Sequence, residues 1–225
     1  MNKKSYLSLL AVLLAVVLIS GCFQPISKGE AVVSYSINKD GDLTASTTLT
    51  GTKGTDFSAW KTDCKKQIKD SLNAVIASYQ NSLTTADATD EEKQGFASAI
   101  NVLTTIKTKI ECSVKEIDAT NAEAVYSYTL TFAELQELSK TPNQENALTA
   151  GKNNSIIDLS LSIIEETIQQ YSDAEIKIKE IRIKAQGNID SIEPAGFSQE
   201  GDEMGLVHDS NEAIGLISLK INTNP

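Results

Sequence analysis

The chain has one histidine (His208), one arginine (Arg182), one tryptophan (Trp60) and three cysteines among 225 residues. Each shortage removes a class of chemistry. Zinc and copper draw on several His or Cys ligands, so no such metal is expected. A single arginine nearly excludes two-point recognition of carboxylate or phosphate. Lys and Arg number 20 against 30 Asp and Glu, a formal net charge of −10. Without basic clusters to neutralise phosphates, nucleic acid is not expected as a partner. The same acidity argues against docking on anionic lipid by charge alone. The sequence holds no Walker-type loop, no G-x-G-x-x-G and no G-x-S-x-G. No apolar run reaches the roughly 20 residues of a comfortable membrane span.

What is present begins with the leader, MNKKSYLSLLAVLLAVVLISGC. Lys3 and Lys4 precede an apolar run from Leu7 to Ile19 broken only by Ser8, and small residues follow. Positive start, short apolar core and small residues together make a secretory signal. Its end, Ile19-Ser20-Gly21-Cys22, resembles the lipobox of prokaryotic lipoproteins. The resemblance implies a diacylglycerol on the Cys22 sulfur and cleavage just before it. The organisation expected is then a signal peptide over 1–21, a lipidated tether over 22–29 and a single extracytoplasmic domain over 30–225. The membrane becomes a partner through the lipid on Cys22, held stably by two or more acyl chains and only marginally by one.

Cleavage after Gly21 leaves 225 − 21 = 204 residues, enough for one sizeable domain or two small ones. Loss of Lys3 and Lys4 leaves 18 cations against 30 anions, or −12. Once Cys22 carries lipid, Cys64 and Cys112 remain. In an oxidising exterior two cysteines pair; the other reading is two buried free thiols.

Along the chain, Ala31, Val33, Tyr35 and Ile37 alternate with polar residues, and so do Leu43, Ala45, Thr47 and Leu49. Asn38-Lys39-Asp40-Gly41-Asp42 between them is turn chemistry, so 31–49 reads as a β-hairpin. A hairpin of this form directly after a lipobox resembles the opening of the LppM-type lipoproteins. Gly51 and Gly54 read as strand breakers. Phe57, Trp60, Cys64, Ile68, Leu72, Ile76, Tyr79 and Leu83 recur at helical spacing, predicting an amphipathic helix of about 27 residues. Phe96, Ile100, Leu103 and Ile106 predict a second, to about Lys109. Ile110, Cys112 and Val114, then Tyr126, Tyr128, Leu130 and Phe132, predict a second hairpin. Thr131 and Glu134 have capping-box spacing.

Helices are expected at Gln144 to Ala150 and from Ile157 through Leu161, Ile164 and Ile168 to Tyr171. Ile176, Ile178, Ile181 and Ile183 predict a strand with a one-residue slip at Glu180. Residues 186–214 read as a Gly-rich acidic loop, and Leu216 to Ile221 as a last strand. The fold class expected is α+β, an antiparallel sheet built from hairpins with long amphipathic helices on one face.

Few residues suggest chemistry. His208-Asp209-Ser210 holds triad residue types, but triad members come from separated positions, and an exposed loop histidine is the simpler reading. Asn38, Asp40 and Asp42 resemble the start of a calcium loop but lack its distal bidentate Glu, so a hairpin turn explains them. Asp190, Glu193, Glu200, Asp202 and Glu203 form the candidate binding loop; the bland alternative is a solvated acidic stretch. Adjacent Glu165 and Glu166 point in different directions on a helix and make no catalytic pair. Phe57 and Trp60 read as packed core. No catalytic residue, metal or cofactor is expected. The function expected is a non-enzymatic binding or structural module of the cell envelope, contacting another envelope protein or a small ligand. The alternatives are a carrier of a hydrophobic ligand in an apolar pocket and a carboxylate-based hydrolase of envelope polymers.

Overall fold

Alternation of apolar and polar residues over 31–49 buries one face of a hairpin and leaves the other wet. In the computed structural model, which describes residues 25–84, 89–139, 148–153, 155–162, 175–193, 195–200, 203–207 and 216–223, this hairpin is the centre of the protein. Strands β1 (Ile26–Ile37) and β2 (Leu43–Lys53) pair antiparallel, with Ala31, Val33, Tyr35, Ile37, Leu43, Ala45 and Leu49 all buried. The turn closes as expected: Gly41 N donates to Asn38 O at 3.0 Å, and Asp40 N and Asp42 N each donate to Asn38 Oδ1 at 2.9 Å. Gly41 has φ +92°, and a Cβ there would lie 2.7 Å from the Phe132 ring, so glycine is needed for conformation and for space.

β1 starts at Ile26, so residues 26–29 are strand rather than tether. β2 runs through Gly51 to Lys53 instead of breaking there. The reason is a cross-strand pair, Gly29 opposite Gly51, where a Cβ on either would strike the other strand's backbone. Here glycine permits close approach and does not end the strand.

β3 (Glu111–Glu116) and β4 (Asn121–Leu130) form the second hairpin, and β4 pairs antiparallel with β2. On the other side, β7 (Glu175–Ala185) lies parallel to β1, which corrects the purely antiparallel expectation. Ala31 pairs with Ile178 and Val32 with Glu180, so the slip predicted at Glu180 is present, with Lys179 as the extra residue. β9 (Ser198–Glu200) and β10 (Glu203–Val207) complete a mixed seven-stranded sheet, ordered β3-β4-β2-β1-β7-β10-β9. A second, antiparallel sheet has the order β5-β6-β11-β8, from β5 (Leu148–Asn153), β6 (Ile156–Ser162), β8 (Asn188–Glu193) and β11 (Leu216–Asn222).

β5 and β6 replace helices expected at Gln144–Ala150 and from Ile157. Ile157 and Leu159, two apart, are both buried. A spacing of four fits a strand face as well as a helix face, so Ile157 and Leu161 misled. Ile164, Ile168 and Tyr171 lie outside the described residues.

Among the described residues three helices pack on the buried side: α1 (Phe57–Leu83), α2 (Asp90–Lys109) and α3 (Phe132–Ser139). The 27 residues of α1 are not one uninterrupted helix. Asp63 has φ −149° and ψ 73°, and its Oδ1 accepts from Lys66 N at 3.0 Å, capping the segment that starts at Cys64. α3 opens on the predicted capping box: Thr131 N donates to Glu134 Oε2 at 2.8 Å and Glu134 N to Thr131 Oγ1 at 3.3 Å. Asp42 Oδ1 also accepts from Phe132 N at 2.9 Å, joining the first hairpin to this helix. One core runs through both sheets and the helices, with Trp60 edge-on to Tyr126 at 6.1 Å between ring centroids. Phe57 and Trp60 belong to it, as expected. Among the described residues no helix is long and apolar enough to cross a membrane.

Candidate functional site

Cys64 on α1 and Cys112 on β3 form a disulfide, with Cα atoms 5.7 Å apart and a sequence separation of 48. Lys65–Glu111 at 2.5 Å and Lys61–Glu116 flank it along the same α1–β3 seam. The bridge therefore ties the first helix to the edge strand of the larger sheet, and the free-thiol reading falls.

Much of the described part of the acidic stretch is strand rather than loop. Asp190 and Glu193 sit exposed on β8 of the four-stranded sheet. Glu200 and Glu203 are backbone partners in the register of β9 and β10 of the seven-stranded sheet. Weak alternation hid these strands because β8 has little buried face, its residues being exposed or half-buried throughout. The predicted cluster is thus divided between two sheets, and Asp202 lies outside the described residues. No group of three or more His, Cys, Asp or Glu side chains able to hold a metal occurs among the described residues. Cys22, Glu165, Glu166 and His208-Asp209-Ser210 also lie outside them.

The structure offers a different concave surface, on the solvent side of the seven-stranded sheet. A groove of about 190 Å³ is lined by Ser34, Ser36, Thr44, Ser46, Arg182 and Lys184. Strand register builds it in two rows. Ser127, Ser46, Ser34 and Arg182 lie side by side on β4, β2, β1 and β7; Thr129, Thr44, Ser36 and Lys184 form the next row. Thr44 and Thr129 share a hydroxyl–hydroxyl hydrogen bond of 2.9 Å.

The single arginine spends its fork within the strand: Arg182 Nε donates to Glu180 Oε1 at 2.9 Å and an Nη to Oε2 at 2.8 Å. Those hydrogen bonds hold the Glu180 carboxyl below the ordinary carboxylate range. The surface offers hydroxyl donors and acceptors with cations at one margin, suited to hydrogen-bonding a polar partner. Sequence reading missed it, although a signal was there. Outward positions next to the turn of the first hairpin are Ser34 and Ser36 on one strand and Thr44, Ser46 and Thr48 on the other, an unbroken run of hydroxyls.

No protein-family model matches the chain, and no curated protein matches it. Among solved structures it is similar to the folded domain of the Mycobacterium tuberculosis protein LppM, determined by NMR, at 17% identity and a TM-score of 0.43, over 89% of this chain and 92% of that one.

Proposed function

We propose that this protein is a lipid-anchored, extracytoplasmic envelope protein whose domain is a non-enzymatic binding or structural module, meeting another envelope component through the hydroxyl-lined face of its larger sheet. The observation that carries the reading is the junction of leader and fold. Ile19-Ser20-Gly21-Cys22 ends a signal-type segment, and the first strand starts at Ile26, four positions later. A lipid on Cys22 would hold a folded domain at a membrane surface. The Cys64–Cys112 bridge supports an oxidising exterior. The groove of Ser34, Ser36, Thr44 and Ser46 supports recognition by hydrogen bonds.

The test is the intact mass of the protein isolated from its host membrane, with and without reduction, followed by photo-crosslinking. The mass should equal residues 22–225 plus lipid and gain a pair of hydrogens on reduction. A crosslinker at Ser36 should then capture an envelope component that one at Asp70, on the exposed side of α1, does not. An unprocessed chain, or a cleaved chain without lipid, refutes the anchor. Equal capture at both positions refutes the binding face.

A further inference from the structure

We infer that the β3–β4 turn, which Ile117 opens, rests in the headgroup region of the bilayer and fixes which way up the domain stands. The inference rests on the lipid anchor proposed above. Its first ground is chain length. Phe23 and Gln24 alone separate Cys22 from Pro25, so at about 3.5 Å per residue the domain starts no more than roughly 11 Å from the lipidated residue.

The second ground is topology. β1 runs away from that point; β2 returns to it, with Lys53 opposite Ile26. β4 leaves from the same end, Asn121 pairing with Thr52, and β3 comes back to it. The turn between β3 and β4 is therefore at the anchored end. Hydrogen bonds lace it there: Gly54 N donates to Pro25 O at 2.8 Å and Lys53 N to Thr120 O at 2.9 Å.

The third ground is chemistry. Among the described residues, Ile117 alone of the large hydrophobics is exposed, at 52%. A single exposed apolar residue is ordinary on a protein surface; this one stands at the end where the tether requires a membrane. Its turn is rigid. Asp118 Oδ1 accepts from Thr120 N at 2.8 Å and Asn121 N at 2.7 Å, and Ile117 N donates to Asn121 O at 3.0 Å. The charges around it cancel. Lys53 and Lys61 both reach Glu116, and Lys115 pairs with Glu123; with Asp118 that makes three cations and three anions, in a chain of net −10. The turn nearest the lipid is thus locally neutral in an acidic protein, and it presents an exposed apolar side chain to the interface.

The experiment uses the full lipidated chain reconstituted in phosphatidylcholine vesicles with brominated acyl chains. Trp60 is buried and supplies a constant background. Ile117→Trp places a second indole in this turn. Lys39→Trp places it in the β1–β2 turn, roughly 40 Å away along the 12 residues of β1. Ile117→Trp should be quenched at least about twofold more than Lys39→Trp, with a blue-shifted emission. Vesicle-bound protein with equal quenching at both positions overturns the orientation and leaves the anchor standing. Protein that fails to sediment with vesicles overturns the anchor, and the orientation with it. A blue shift that rises with protein concentration in detergent, without lipid, overturns the inference by assigning the turn to a second copy of the chain.

Discussion

Removing the Cys64–Cys112 bridge should lower stability by a large and calculable amount. The bridge closes a loop of 48 positions between α1 and β3. In the chain-entropy account, a loop of that size left open in the unfolded state costs about 4 kcal/mol at 25 °C. Folded domains are stable by only about 5–15 kcal/mol, so a quarter or more of the total is at stake. The neighbouring Lys61–Glu116 and Lys65–Glu111 pairs are exposed and cannot stand in for the bond. For a domain of this size the loss corresponds to a fall in Tm of roughly 8–16 °C. The assay is thermal unfolding of the mature domain by circular dichroism, parent against Cys64→Ala/Cys112→Ala. The entropic account places the loss in the unfolded chain, so the near-ultraviolet signal of Trp60, four residues before Cys64, should be unchanged below the transition. A fall of less than about 3 °C would refute the loop argument. A large fall with the Trp60 signal already lost at low temperature would refute the entropic assignment, because the bond would then be building the α1–β3 contact itself.

Gly41→Ala should cost about 1–3 kcal/mol, from the φ of +92° and the Phe132 ring in its path, and should appear as a lowered Tm with the fold retained. Glu116 is held down to about 2 by hydrogen bonds from Lys53 and then Lys61. Its stabilising effect is present above the ordinary 4.5 and fades as pH falls toward 2, so in a Tm-against-pH series Glu116→Gln should lower the neutral Tm slightly, leave the Tm near pH 2 unchanged, and so flatten the acid limb. Burial pushes the Tyr35, Tyr126 and Tyr128 hydroxyls well above the ordinary 10. That stability is present below pH 10 and lost as pH rises beyond it, so these three should ionise only with unfolding in an alkaline absorbance titration. Ionisation of all tyrosines near pH 10 with the fold intact would refute it.

Both hairpins, α1, α2, the capping box at Thr131 and the slip in β7 were legible because each is a local pattern with one period. Where two periods fit the same residues, reading failed. Ile157 and Leu161 satisfy a helix and a strand alike, and the surrounding sheet decided. β9 and β10, of three and five residues, were too short to show a period, and β8 was invisible because a strand with little buried face carries no strong alternation. Gly51 looked like a stop since its role depends on Gly29, which only pairing brings opposite. The groove was half legible: Ser34, Ser36, Thr44 and Ser46 stand out as hydroxyls on the wet side of a predicted hairpin, but Arg182 and Lys184 join them from almost 140 positions away.

The sequence by itself determined the elements whose information is local: the first hairpin with its turn at Gly41, the apolar stripes of α1 and α2, and the capping box at Thr131. Backbone sterics, turn chemistry and side-chain periodicity act over a few residues and need no partner. Tertiary structure alone decided the parallel seating of β7 on β1, the second sheet, the division of the acidic residues between two sheets and the placing of Ile117 at the end of the larger sheet where β1 begins. Each of these is a pairing between distant segments. Such pairings depend on which buried faces fit together in three dimensions, and no periodicity along the chain records that.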